Sequence, residues 1–217
     1  MERWLSRWAP LASVPAAALI VVAFASGSGS SPNNHAPVAQ IVRYYTAHAT
    51  GQKVSALTGT LAFVFFVFFA VALSGRVRAG RTGVWLGNGA VAGAVFAAVG
   101  FLPFLTFSFI LGNDITFMLP STAQTLNVLN NDYFLPVVAG FAVFGVVAGL
   151  AVVVSRAPAR WMGWVLVAFG VAAAIPPISF FAFLATFLWA LVAGIWLAVR
   201  AAPRVTADQP EPSLAAA

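Results

Sequence analysis

The sequence has no cysteine and very little charge. The absence of cysteine from its 217 residues excludes disulfides, thiol chemistry and cysteine-based metal centres. Only 7% of the residues are charged and 61% are hydrophobic, whereas soluble domains have about 25% and roughly 45–50%. A soluble fold of this size could not keep so much apolar surface from water. The composition therefore predicts an integral membrane protein.

The hydrophobic residues fall into six long runs. A helix needs about 20 apolar residues to cross a bilayer, and the pattern predicts an all-α polytopic membrane bundle of six transmembrane helices within residues 1–200. Pro176 and Pro177 favour a turn after the short fifth run over one long helix. The Ala-, Pro- and acid-rich residues 201–217 are expected to form a disordered cytoplasmic tail. The six predicted spans are residues 9–25, 54–73, 84–109, 134–154, 161–175 and 178–199.

Ionisable residues are missing from the middle of every predicted span. Buried charges mark proton relays and voltage sensors in membrane proteins, so their absence argues against both functions. It also removes the paired carboxylates and Ser/His/Asp sets that intramembrane hydrolysis would need. We therefore expect a protein that is not an enzyme and has no catalytic, cofactor-binding or metal-binding residues.

The basic residues are distributed unevenly between the two sides of the predicted bundle. The positive-inside rule places the richer side in the cytoplasm, which predicts a plasma-membrane protein with cytoplasmic N- and C-termini. The net charge of +6 is dispersed along the chain, unlike the clustered footprint of a nucleic-acid-binding protein. One side has Arg3, Arg7, Arg76, Arg78, Arg81, Arg156, Arg160, Arg200 and Arg204, and the other has Arg43 and Lys53.

The first predicted span has an alternative interpretation. Residues 1–25 combine two arginines, an apolar run and an Ala-Phe-Ala sequence, as a cleavable signal peptide does. Cleavage there would leave five spans and an external N-terminus.

Two short external surface helices are predicted, one in residues 37–50 and one after Pro120, which either lie on the outer membrane surface or cap the bundle. The external side also carries four polar residues that a structure could bring together, Arg43, His48, Asp114 and Asp132. Because His35 and His48 lack the spacing of metal ligands, solvated side chains are the favoured interpretation over a metal site.

Two Gly-x-x-x-Gly patterns, Gly89/Gly93 and Gly145/Gly149, predict close helix packing. Packing within one bundle is favoured, and a homodimer seam is the alternative. Pro103 is expected to kink the third span. The order of external helix, inward span, arginine loop and outward span also recurs at an offset near eighty residues, which indicates either an internal duplication or chance similarity.

A resemblance to a known family is carried by three short stretches. Residues 157–164 read Ala-Pro-Ala-Arg-Trp-Met-Gly-Trp before an apolar run containing Gly170, Tyr44 and His48 form a Tyr-x-x-x-His pattern, and Leu126-Asn127 precedes the fourth span. Over most of residues 9–200 the chain resembles uncharacterised integral membrane proteins of high-GC actinobacteria. The resemblance implies a six-helix inner-membrane protein and brings no activity, cofactor or catalytic residue with it.

Two functional hypotheses follow. The first is a non-enzymatic bundle that acts through lipid or protein contacts in the cell envelope, with membrane lipids, a second copy or another membrane protein as partners. The second is a small, dimeric transporter or exporter of apolar compounds, suggested by the repeat, Pro103 and the glycine pairs.

Overall fold

The structure, a computed structural model, describes residues 8–27, 31–78, 80–157 and 159–200. Every regular element in these ranges is helical. The predicted tail 201–217 and the basic residues Arg3 and Arg7 lie outside the described residues.

Eight α-helices follow one another in the described part of the chain. A 3-10 turn at Ala9–Ala12 leads into the first helix, and another at Ile115–Phe117 follows the fourth. The helices are α1 (Ser13–Ser26), α2 (Val38–Ala47), α3 (Ala49–Val77), α4 (Gly80–Asp114), α5 (Pro120–Asp132), α6 (Leu135–Ser155), α7 (Arg160–Ala173) and α8 (Pro176–Arg200).

Five helical stretches of the described residues are long and apolar enough to cross a membrane, and they contain α1, α3, α4, α6 and α8. The chain is an integral membrane protein with an all-helical fold. The predicted fifth span corresponds to α7, which has 14 residues and a length of about 21 Å, against about 30 Å of hydrocarbon. It forms a hairpin with α8, which begins at Pro176 because a first-turn proline loses no helical hydrogen bond.

Two helices extend past the predicted spans at the same end of the bundle. The helix α3 begins at Ala49 rather than at residue 54, and α4 continues to Asp114 rather than ending at residue 109. Hydropathy detects only the apolar part of a helix, and residues 49–53 of α3 and 112–114 of α4 are small or polar. Ile110 and Leu111 continue the apolar run of α4 beyond the predicted end. The helix α4 continues through Pro103, whose missing N–H leaves one carbonyl of the preceding turn without its partner.

The centre of the bundle is filled by phenylalanine rings. The ring centroids of Phe63 and Phe101 are 4.7 Å apart, and those of Phe66 and Phe187 are 4.9 Å apart. Large apolar rings in mutual contact bury much area with few rotatable bonds. The cluster joins α3, α4, α6 and α8 and comprises Phe63, Phe66, Phe101, Phe141, Phe183 and Phe187.

The predicted packing glycines all lie at contacts between helices of this chain. A Cβ atom added at Gly93 would lie 2.6 Å from the Phe144 backbone nitrogen, and one at Gly89 would lie 2.9 Å from the Val147 side chain. On the other face of α6, Gly145 and Gly149 contact α7. Because helices of the same chain occupy these grooves, the grooves are not available as a dimer seam.

The order of short helix, long helix, turn and helix is present twice, as α2–α3–α4 and as α5–α6–α7. The corresponding helices differ in length, however, with 35 residues in α4 and 14 in α7. The internal duplication stays a prediction.

The short helices α2 and α5, which were predicted to be external, form a cap at one end of the bundle with its own apolar core. Ile41, Tyr45 and Leu111 are completely buried there. The helix α2 therefore covers the end of the bundle rather than lying flat on a membrane surface. The core of the cap consists of Ala36, Ile41, Tyr45, Leu111, Ile115 and Ala123.

Candidate functional site

The helix α5 turns its asparagines toward the protein interior. Asn127 is completely buried and Asn130 is 6% exposed, whereas Leu129 is 41% exposed. Side chains three or four residues apart share one face of a helix, so Asn127, Asn130 and Asn131 form a row of amides on the inner face. Burying amides costs free energy unless they are hydrogen-bonded, and each of the three has partners in the cap.

Asn127 joins α5 to α2 and to the loop of residues 31–37. Its Oδ1 accepts a hydrogen bond from the Tyr45 hydroxyl at 3.3 Å. Its Nδ2 donates to the carbonyl oxygens of Pro32 and Asn33, both at 3.2 Å. These partners are distant in sequence, so one side chain fixes three separate segments relative to one another.

Three further side chains of α5 hold the same loop. The Nδ2 of Asn131 donates to the Pro32 carbonyl and to the Asn34 Oδ1, both at 2.9 Å. Gln124 donates to the Asn34 carbonyl at 2.8 Å, and the Asn34 Nδ2 donates to Asp132 at 2.9 Å. The loop is thus pre-organised, because its backbone oxygens are satisfied by side chains of a neighbouring helix.

A cavity of about 210 Å³ lies beneath the cap. We call it the external pocket, after the predicted orientation of this end of the bundle. Its floor and wall toward the bundle are apolar, with Ala23 and Phe24 of α1 and Phe104 of α4, and Gly27 lies at its edge. The polar lining residues are Ser31, Tyr44, Tyr45, Gln52, Ser55, Ser108, Asn130 and Asn131.

Several polar groups of the external pocket are buried and hydrogen-bonded to each other. Gln52 is 7% exposed and Ser108 is 4% exposed. The Ser108 hydroxyl donates to Asn130 Oδ1 at 2.9 Å, and the Gln52 side chain hydrogen-bonds the Tyr44 phenol. A site with satisfied polar walls keeps its shape when empty and offers both donors and acceptors to a ligand.

The external pocket is electrically neutral. Tyrosines are its only ionisable residues among the described ones. Burial raises the pKa of Tyr45 to about 12, and the neighbouring Tyr44 adds to this, while a hydrogen bond with Asn130 acts in the opposite direction. Burial also raises the pKa of Tyr44. Both phenols are therefore protonated at neutral pH and act as hydrogen-bonding groups without charge.

The predicted external cluster is not assembled. Asp132 accepts a hydrogen bond from Asn34, and Asp114 accepts one from the adjacent Asn113 at 2.7 Å. The His48 Nδ1 hydrogen-bonds the Tyr44 carbonyl at 2.8 Å, and its ring stacks on that of Tyr44 at 4.4 Å. Arg43 is exposed. Within the described ranges no hydrogen bond or ion pair joins any two of the four predicted residues.

No group of three or more histidines, aspartates or glutamates in the described residues could hold a metal ion. Comparison with known proteins gives no match to any protein-family model, any curated protein or any solved structure. The resemblance to actinobacterial membrane proteins stays a prediction.

Sequence reasoning did not identify the external pocket. The signal that could have indicated it is the spacing of Asn127, Asn130 and Asn131, which places three amides on one helix face. Tyr44, Tyr45 and Gln52 carry no such signal, because they meet the asparagines only through the tertiary fold.

Proposed function

We propose that this integral membrane protein acts without catalysis, by binding an uncharged, hydrogen-bonding ligand in the external pocket. The observation that carries the proposal is the neutrality of a deep polar cavity. A charged ligand would lose its hydration there without gaining a counter-charge. A ligand that bears hydroxyl or amide groups can exchange its hydrogen bonds with water for bonds to Gln52, Ser108 and the tyrosines.

We further propose that the pocket faces outward from the plasma membrane and that both termini are cytoplasmic. The support is the bias of nine basic residues against two in the sequence. In the described residues, Arg76, Arg156 and Arg160 lie at the helix ends opposite the cap. None of the described residues that line the pocket provides a base and a nucleophile in combination, which favours binding over turnover.

The transporter hypothesis has less support. The phenylalanine cluster fills the bundle between the external pocket and the opposite end, and the centroids of neighbouring rings are as close as 4.7–4.9 Å. A solute could pass only if several of these rings moved apart together. The GxxxG grooves, which suggested a dimer, are occupied by helices of the same chain.

The neutrality of the pocket can be tested directly because the chain has no native cysteine. In Ser55→Cys the single thiol lines the pocket, and in Ser121→Cys it lies on the exposed start of α5. Both variants are treated with neutral 2-hydroxyethyl methanethiosulfonate and with its cationic and anionic analogues. Each rate at the Ser55→Cys thiol is divided by the rate of the same reagent at the exposed Ser121→Cys thiol. We expect this relative rate to be at least about tenfold higher for the neutral reagent than for the charged ones, because a charge must be desolvated to enter the pocket. Equal relative rates would refute a neutral binding pocket.

The orientation is tested with a second pair of single-cysteine variants. Ser121→Cys lies at the cap, and Thr82→Cys is exposed in the first turn of α4 at the opposite end. A membrane-impermeant maleimide should label Ser121→Cys in intact cells and Thr82→Cys only after lysis. The reverse pattern would place the cap in the cytoplasm.

A further inference from the structure

Three cavities follow α1 from the cap toward the middle of the bundle. The external pocket ends at Ala23 and Phe24. A small void of about 20 Å³ shares these two residues and extends to Ile20. A third cavity of about 630 Å³ also contacts Ile20 and lies between α1 and α8. From Gly27 to Val14 the row measures about 20 Å along the helix, which exceeds the depth of about 15 Å of one leaflet.

The chemistry changes along this row from polar to apolar. The third cavity, which we call the α1–α8 groove, has a described lining made only of hydrocarbon side chains, among them Val14, Ala18, Val21, Leu184 and Leu188. Val21 is 66% exposed and Leu188 is 62% exposed. Such a groove faces the bilayer, where the surrounding medium consists of acyl chains. A polar pocket above a lipid-facing apolar groove has the amphipathic profile of a lipid.

We infer that the ligand of the external pocket is a membrane lipid, whose uncharged, hydroxyl-bearing headgroup lies among Gln52, Ser108 and Tyr44 and whose acyl chain descends into the α1–α8 groove. This inference rests on the proposed function, since it names the ligand of the same pocket. The three cavities follow one helix and share the lining residues Ala23, Phe24 and Ile20, which favours a lipid over a free polyol. The absence of a described cation or carboxylate in the lining selects a neutral headgroup over a charged one.

Phe24 stands at the narrow point between the two larger cavities. Its ring lines both the external pocket and the small void, and its edge contacts Phe180 at 5.5 Å and Phe183 at 5.9 Å. At 37% exposed it is not confined by the core. Because the void is too small for a chain of methylenes, passage of the acyl chain requires movement of the Phe24 ring and of Ile20, which lines both the void and the groove.

The test uses monoolein, which has two hydroxyl groups and one acyl chain, titrated into the full chain in dodecylphosphocholine micelles. Binding is followed by the rise in melting temperature, with glycerol and 1-oleoyl lysophosphatidate as comparison probes. We expect saturable stabilisation by monoolein, none by glycerol at the same concentration, and at least about tenfold weaker binding of the lysophosphatidate, whose charge finds no partner in the pocket.

Two variants separate the headgroup from the chain. Gln52→Met keeps the side-chain volume and removes the amide, and it should weaken monoolein binding by about tenfold. Ala18→Phe fills the groove and should weaken monoolein binding by a similar factor, because a lipid whose chain cannot enter the groove cannot hold its headgroup in the pocket. Gln40→Met and Ala92→Phe, both at exposed positions, are the matched controls and should bind monoolein as the wild type does.

Each outcome decides a different claim. Loss of binding in both test variants with intact controls supports the lipid inference. If Gln52→Met weakens binding and Ala18→Phe does not, the chain is not in the groove and the lipid inference fails, while the proposed neutral pocket stands. If glycerol stabilises the protein as well as monoolein does, the ligand is a free polyol. If monoolein shows no saturable effect, the inference is overturned, and the thiol-reactivity experiment still decides the proposed function by itself.

Discussion

The contact between α6 and α7 gives the sharpest test of the fold, through the substitution Gly145→Ala. A Cβ atom at this position would lie 2.5 Å from the Gly170 Cα and 2.7 Å from the Gly170 nitrogen. The third neighbour is the Leu166 carbonyl oxygen at 3.1 Å. These are backbone atoms of the facing helix, which cannot rotate away as a side chain can. The two helices must therefore separate by several tenths of an ångström along their whole contact.

The expected magnitude follows from two opposing terms. Overpacking of a close contact costs about 1–3 kcal/mol, and replacing a helical glycine by alanine returns up to about 1 kcal/mol. We expect Gly145→Ala to lower the free energy of unfolding by about 1–2 kcal/mol, because a contact with backbone lies at the upper end of the cost. Gly75 in α3 is the matched control, since a Cβ there meets nothing within 4 Å. Gly75→Ala should be stabilising by about 0.5–1 kcal/mol.

The two variants are compared by unfolding in mixed micelles of increasing dodecyl sulfate fraction, followed by circular dichroism. Light scattering on the same samples gives the oligomer size. A Gly145→Ala protein as stable as Gly75→Ala would contradict the packing of α6 on α7. A change in oligomer size with no change in stability would instead support the alternative interpretation, in which these glycines form the contact between two copies of the chain.

Three other substitutions have expected outcomes. Asn127→Leu removes three hydrogen bonds of a buried amide and should destabilise the cap by about 2–3 kcal/mol. The loss is measured as faster thermolysin cleavage in residues 31–37. Unchanged cleavage would contradict a pre-organised loop. Burial raises the pKa of Tyr45 to about 12, above its unfolded value of about 10, so stability should be constant below about pH 10 and fall by about 2–3 kcal/mol between pH 10 and 12. Tyr45→Phe should flatten this part of the melting-temperature profile, and an unchanged slope would assign the effect to another group. Arg156 follows the end of α6 with a φ of 60°, a left-handed conformation that favours glycine. Arg156→Gly should therefore be stabilising by about 1 kcal/mol in the same unfolding assay. A loss of stability would show that the arginine side chain contributes more than its backbone strain costs.

The helical bundle could be predicted because bilayer thickness imposes a length on each apolar run. The predicted run 134–154 and the observed helix Leu135–Ser155 differ by one residue at each end. The same reasoning predicted the ends of α3 and α4 less well, because these helices continue through small and polar residues to Ala49 and Asp114. Hydropathy cannot follow a helix into water, where hydrogen bonding and cap contacts decide where it stops.

The external pocket could not be predicted because its polar residues meet across long distances in sequence. Tyr45 reaches Asn127 over 82 positions, and Asn131 reaches Pro32 over 99. The four residues predicted as an external cluster were chosen because they carry charge or an imidazole. The structure instead buries amides, because a neutral amide can satisfy its hydrogen bonds inside a small cap at lower desolvation cost than an ion. The polar residues that the structure joins in the cap are therefore mostly neutral ones.

The headgroup and the acyl chain of a lipid would contribute differently to the free energy of binding, and this difference determines how selective the pocket is. Four new hydrogen bonds would contribute about 0.5–1.5 kcal/mol each, which only offsets the cost of about 4 kcal/mol or more for immobilising a molecule from water. The external pocket alone would thus bind a free polyol weakly. A lipid chain gains little by leaving the bilayer for the α1–α8 groove, because lipid tails are as apolar as leucine. Its contribution is to hold the headgroup at the depth of Phe24 and Gln52 at high effective concentration. Lengthening the chain should then change the affinity from a bilayer very little, whereas adding one charge to the headgroup should nearly abolish binding.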